Sequence, residues 1–198
     1  MPSFQNQWKK VKLVGVDSMN HPFRLHFWVS QDYLSLGKPD DFFRMPVTRM
    51  TAEQIAAYHQ SILPTRKMVD LIYEQSQVKL EPIPLLALRD SLPSFYHHHL
   101  IIEGQRKNRK GLLAGIKKDI VQADSMETAK YQSKIAIYGW HRLDGKPIQP
   151  LYKKHSARYV DYSHGVRLVF ERIKLNGKWK EWSDLIQNPQ TRALLWDE

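Results

Sequence analysis

The change of hydrophobic period along the chain constrains its fold most. In the eight residues FRLHFWVS (23–30), Phe23, Leu25, Phe27 and Val29 alternate with Arg24, His26, Trp28 and Ser30. That period of two belongs to a half-buried strand. VKLVGV (11–16) precedes it across the turn residues DSMNHP, so these two strands are expected to pair. From residue 51 to about 110, apart from a proline-rich connection, the apolar spacing becomes helical. From Lys117 onward short strand-like runs return: KKDIVQA, KIAIYGWHR, KPIQPLY and GVRLVFERIKL. Strands, then helices, then strands predict an α+β fold. It would have an N-terminal β-hairpin and helices, followed by a strand-rich, mainly antiparallel C-terminal half.

Local signals place the elements. TAEQIAAYHQSIL (51–63) predicts a helix with Thr51 and Gln54 as a capping box and Ile55, Tyr58 and Ile62 as its apolar stripe. Pro64 interrupts it, and Thr65 caps a second helix whose Met68, Val69, Ile72 and Tyr73 face inward. EPIPLLALRDSLP (81–93) is a proline-rich connection. A third helix is expected over 94–110, capped by Ser94 and stopped near Gly111, with Phe95, Tyr96 and Leu100 buried. Asn176-Gly177 marks a two-residue hairpin, and Asn188-Pro189 opens a short final helix. The chain reads as one domain, 1–198, or as two parts, 1–93 and 94–198, with the site in the second.

Thirty Lys and Arg against twenty Asp and Glu give a formal charge of +10. A surplus of that size attracts polyanions such as anionic glycans, cell wall or nucleic acid. The absence of cysteine excludes disulfides, thiolate zinc sites and cysteine nucleophiles. No apolar run has the length of a membrane span. The first residues, MPSFQNQWKKVKLVGV, lack the apolar core and small-residue cleavage site of a signal peptide. A cytoplasmic location or non-classical export is therefore expected.

Candidate chemistry concentrates in the C-terminal strand region. His155, Asp161 and His164 form an H-x5-D-x2-H pattern, a ligand set of the type that holds a divalent metal such as zinc. Ser163 and His164 are neighbours on a strand, so their side chains point to opposite faces. A nucleophilic Ser163 would need His141 or His155 as base, with Asp161 or Asp119 orienting it. Arg167 and Lys118 are suited to hold a substrate carboxylate or oxyanion. In the His97–His99 run, His99 shares a helical face with Glu103, which would raise its pKa and add it to the substrate-binding set. The segment 105–118 carries Arg106, Lys107, Arg109, Lys110, Lys117 and Lys118, a candidate phosphate-binding surface.

IYGWH (137–141) with SHGVRL (163–168) resembles the active-site signature of L,D-transpeptidases, the cysteine enzymes that cross-link peptidoglycan. On that resemblance His141 matches the first histidine, and Ser163, His164, Gly165 and Arg167 match four positions of the second run. Val166 stands at the nucleophilic cysteine's place, so cysteine-based transpeptidation is excluded. The longer run IYGWHRLDGKPIQPLY and YVDYSHGVRLV is similar to a bacterial family of hypothetical proteins, a resemblance that implies no particular activity.

These observations lead to one expectation with two alternatives. The first is a hydrolase or transferase acting on an anionic cell-envelope polymer, peptidoglycan foremost, through a site centred on His141, His155, Asp161, Ser163 and His164. The alternatives are a nucleic-acid-binding protein using the 105–118 segment, and a non-catalytic glycan- or peptide-binding module on a degenerate enzyme fold.

Overall fold

The computed structural model describes residues 1–123 and 133–197. It is an α+β structure built on two main sheets. The N-terminal hairpin is longer than its sequence signal: β1 (Trp8–Val16) pairs antiparallel with β2 (Pro22–Ser30) along its whole length, Trp8 opposite Ser30 and Val16 opposite Pro22. Strands β3 (Ser35–Gly37) and β4 (Phe42–Arg44) form a small hairpin.

The first helix, α1 (Arg49–Tyr58), starts and stops earlier than its apolar stripe suggests. Its cap is Thr48, whose hydroxyl accepts from the Thr51 amide. The expected Thr51–Gln54 capping box is not the start. Gln60 adopts a left-handed φ of 49°, and Ser61–Ile62 leave as strand β5. Helix α2 (Arg66–Gln75) is capped by Thr65 as expected and buries Met68, Val69, Ile72 and Tyr73.

After β6 (Val78–Lys79) and the proline-rich connection comes α3 (Leu92–Arg106), capped by Ser91 rather than Ser94 and ended by left-handed Lys107 rather than Gly111. Phe95 is buried as expected, but the rest of the expected side is not. Tyr96 and Leu100 are exposed, whereas His98 and His99 are buried with Phe95 and Ile102. The buried stripe is mixed: Ile102 packs with Val78, Leu80, Leu113 and Ile116, whereas His99 lies against Arg44 of β4.

Seven short strands then complete the sheets: β7 (Leu113–Ala114), β8 (Lys118–Ile120), β9 (Ile137–His141), β10 (Pro147–Tyr152), β11 (His164–Gly165), β12 (Val169–Phe170) and β13 (Arg172–Leu175). The Asn176-Gly177 turn leads into β14 (Lys178–Glu181), as expected. Helices α4 (Trp182–Gln187) and α5 (Pro189–Leu195) close the chain, with the Asn188 side chain capping α5.

The six-stranded sheet runs β14-β13-β2-β12-β5, with β1 on the other edge of β2. It takes strands from both 1–93 and 94–198, so a division at residue 93 would cut a sheet. Its inward face, Val11, Leu25, Phe27, Val29, Val169 and Ile173, packs on α2, on Trp182 and Leu194 of the C-terminal helices and on Trp196 just after them. Each such side chain contributes about 1.5–3 kcal/mol on full burial. The second sheet runs β10-β9-β8-β11, and its β8–β11 pairing is parallel. Its β8 sits between β9 and β11, with Lys118 opposite both Gly139 and His164, and it carries the polar residues described next.

Candidate active site

Two polar centres lie around the four-stranded sheet. The first contains most of the residues singled out by sequence. Asp161 is 1% exposed and accepts from the Ser163 amide (2.8 Å), the Ser163 hydroxyl (2.7 Å) and the Tyr159 hydroxyl (3.1 Å). Arg89 adds an ion pair at 2.8 Å. Burial works against the Asp161 charge, but the Ser163 hydrogen bonds, and after them the Arg89 charge, hold its pKa below the usual carboxylate range. His164 is buried edge-on to Tyr159, at 5.6 Å between ring centres, and Tyr159 in turn lies 4.5 Å from the His155 ring. Lys118 belongs to the same neighbourhood. Its ammonium lies 4.7 Å over the Trp140 ring, and its charge acts on both His155 and His164. Burial, before any neighbouring charge, keeps His164 neutral.

The structure therefore brings His155, Asp161, Ser163, His164 and Lys118 together, and it buries all of them except His155, which stays partly exposed. Ser163 is 0% exposed and donates its hydroxyl to a carboxylate, not to a histidine. That bond makes Ser163 part of an Asp-anchored turn rather than an activated nucleophile. Among the described residues, no three His, Asp or Glu side chains converge in a metal-binding geometry.

The transpeptidase-like run is also turned inward. Val166 packs with Leu34, Ile120 and Leu168, so the position of the missing nucleophile faces core. Arg167 is 0% exposed and donates to the carbonyls of Ser30 (3.0 Å) and Leu113 (2.6 Å), with its guanidinium 4.2 Å over the Tyr33 ring. It ties backbone segments together and is closed to substrate. A Cβ on Gly165 would come within 2.6 Å of Tyr33 and 2.8 Å of the Lys117 Cβ, so only glycine fits.

Further buried charges lie behind this cluster. Lys117 is 1% exposed and donates to the Tyr162 carbonyl at 2.5 Å. Burial, then the Arg44 charge, lowers its pKa to about 7. Asp119 has Arg167 Nε at 3.9 Å and Tyr33 Oη at 3.5 Å, and burial raises its pKa to about 6. It is not paired with the adjacent lysines. Arg44 chelates Asp32 through Nε (2.9 Å) and Nη2 (2.6 Å), and its Nη1 binds Glu103 at 2.7 Å. Glu103 therefore serves Arg44. His99 lies against the same guanidinium, and burial followed by the Arg44 charge lowers its pKa to about 4, opposite to the expected rise. His99 is not available to substrate. With Lys117 and Lys118 also turned inside, the 105–118 segment does not present its six cations as one surface.

The second centre is open. Helix α2 places Asp70, Tyr73 and Glu74 on one face at i, i+3 and i+4. They line a cleft of about 470 Å³ with Lys79, Tyr138, His141 and the Asp144 turn. His141 Nε2 donates to Asp70 Oδ1 at 2.9 Å, and Tyr138 Oη donates to the same oxygen at 2.8 Å. The His141 ring stacks on Tyr73, with centres 4.5 Å apart and planes 14° apart. Tyr73 is itself fixed by donating to the Arg142 carbonyl at 2.5 Å. The His141 side chain is 4% exposed and that of Asp70 36%, so the carboxylate reaches the cleft while the imidazole lies at its floor.

The backbone leading to His141 is strained. Gly139 has a φ of 104° and Trp140 a φ of 57°. A left-handed tryptophan costs on the order of 1–3 kcal/mol and persists only where its surroundings hold it. Here Trp140 donates its amide to the Lys117 carbonyl (3.1 Å) and its indole N–H to the Ile116 carbonyl (3.0 Å). A Cβ at 139 would crowd Val69 Cγ1 at 3.2 Å, and the left-handed φ itself favours glycine there.

His141 thus separates from the other predicted residues and joins Asp70, Tyr73, Tyr138 and Lys79, which sequence reasoning missed. Comparison with known proteins returns no match to a family model, to a curated protein or to a solved structure.

Proposed function

We propose that the chain is a hydrolase or transferase acting on an anionic cell-envelope polymer, peptidoglycan foremost, with Asp70 as its general base and His141 as the residue that positions it. The carrying observation is a carboxylate whose one oxygen is fixed by two donors while the residue stays open to a cleft. In this reading Asp70 Oδ2 takes the proton of an attacking water or hydroxyl group as general base. His141 and Tyr138 hold Oδ1 and keep the carboxylate aimed. Lys79, 4.7 Å over the Tyr73 ring, supplies positive charge for a developing oxyanion. Glu74 and Asp144 also line the cleft, which favours a neutral or ammonium-bearing segment of the polymer there. The net charge of +10 attracts the polymer's anionic groups elsewhere on the surface.

The test is release of soluble fragments from purified cell walls, with and without added divalent ions. Wild type should release them and Asp70→Asn should release far less. A folded wild-type protein that releases nothing under either condition removes the proposal.

A further inference from the structure

The outward face of the six-stranded sheet is not used by the cleft. Period-two alternation puts Lys10, Lys12 and Val14 of β1 beside Trp28, His26 and Arg24 of β2, in direct cross-strand register. Lys174 of β13 lies opposite His26 on the other side and opposite Trp179 of β14. Trp28 and Trp179 lie 4.8 Å apart with planes 33° apart, and Trp8 and Phe170 lie 5.7 Å apart. These four rings line one groove of about 270 Å³. A second groove of about 650 Å³ runs past Arg24, His26 and Lys174. Burial, and then the charges of Lys10, Lys12, Lys174 and Arg24, depress His26 below the ordinary imidazole range, so four cations crowd one site. Glu181 neutralises Arg172 at 3.1 Å, which leaves those four as the face's net charge.

We propose that this face binds single-stranded nucleic acid, with bases on the Trp8, Trp28 and Trp179 rings and phosphates against Lys10, Lys12, Arg24 and Lys174. A nucleotide carries its planar π-face and its negative charge on separate groups one sugar apart. The face carries aromatic ring and cation as separate neighbours in the same way, with Lys174 Nζ 5.9 Å from the Trp179 ring centre. Base stacking on exposed aromatics beside a cationic track is the general design of sequence-tolerant single-strand binding. A duplex hides its base faces and cannot use these rings.

The experiment is a fluorescence-anisotropy titration with labelled oligo-dT of about 16 nucleotides, a length set by typical single-strand site sizes. Trp179→Ala should weaken binding by about 5- to 100-fold, the range expected for one lost base stack. Lys10→Gln with Lys12→Gln should reduce the slope of log affinity against log salt by about 1.4, at roughly 0.7 per phosphate contact. All three side chains are exposed, and circular dichroism of each variant verifies the fold. Absence of oligonucleotide binding at low salt overturns the proposal. So does equal binding by wild type and variants, or tighter binding of a purified acidic glycan that the oligonucleotide cannot displace.

Discussion

The cleft of His141 and the cluster of His164 use the same kinds of side chain and differ in what closes over them. Beside His164 the carboxylate is satisfied by its own fold, Asp161 receiving Ser163, Tyr159 and Arg89, while His164 Nδ1 is buried without a hydrogen-bond partner. At His141 the donors converge on one oxygen of Asp70, whose side chain remains 36% exposed. A carboxylate saturated by its own fold stabilises that fold. One that is aimed but not saturated can do chemistry. The contrast also assigns the two strained or crowded backbone points: Trp140 leads into the open site, and Gly165 closes the sealed one.

That division can be broken by experiment. The largest effect should come from Asp70→Asn, which should lower cell-wall turnover by about 10²–10⁴-fold, the usual weight of a general base, while the urea midpoint hardly moves. Equal losses of activity and stability would erase the distinction. Asp161→Ala should act in the opposite sense. It leaves the buried Ser163 amide and hydroxyl without an acceptor, and unfolding free energy should fall by about 3–4 kcal/mol in urea titrations.

Acid should attack the sealed side first. His98 is 0% exposed with neither ring nitrogen hydrogen-bonded, and burial, then the Lys117 charge, depresses its pKa to about 2. His98 and His99 stay neutral in the fold and take up protons on unfolding below about pH 6.5, so their contribution is complete above that pH and lost as pH falls toward 4. Each proton adds a slope of about 1.4 kcal/mol per pH unit. Urea midpoints at pH 6.5 and 5 should show the loss, and His98→Phe should remove one proton's share of it. An unchanged slope in that variant would mean His98 is protonated in the folded protein. The smallest effect is expected from Ser163→Ala, about 1 kcal/mol for one hydroxyl bond, with cell-wall turnover retained. Loss of turnover without loss of stability would move the active centre back to the sealed cluster.

Much of the fold was legible because it follows from period and capping. The alternation in β2 defines both its core face and its outer face, and Thr65, Asn176-Gly177 and Asn188-Pro189 act where their chemistry says they should. Helix α3 was not legible. Its side was read from Phe95, Tyr96 and Leu100, but the helix also packs on Arg44 of β4, paired with Asp32 of the bend after β2, so His99 faces in with Phe95 while Tyr96 and Leu100 face out. The site divides in the same way. Residues near one another in sequence, Asp161 with Ser163 and His164, were found together. Asp70 lies 71 positions from His141, and nothing local in α2 distinguishes it from a solvated carboxylate.

Gly165 bears on how short motifs should be weighed. Two chain segments cross there with less room than a methyl group needs. Glycine is dictated at this point by clearance, and serine is held by a turn anchored on Asp161. A saturation library at residue 165 would therefore return a one-letter alphabet even if selected for folding alone. The same tripeptide in another chain is evidence of a tight crossing before it is evidence of an enzyme.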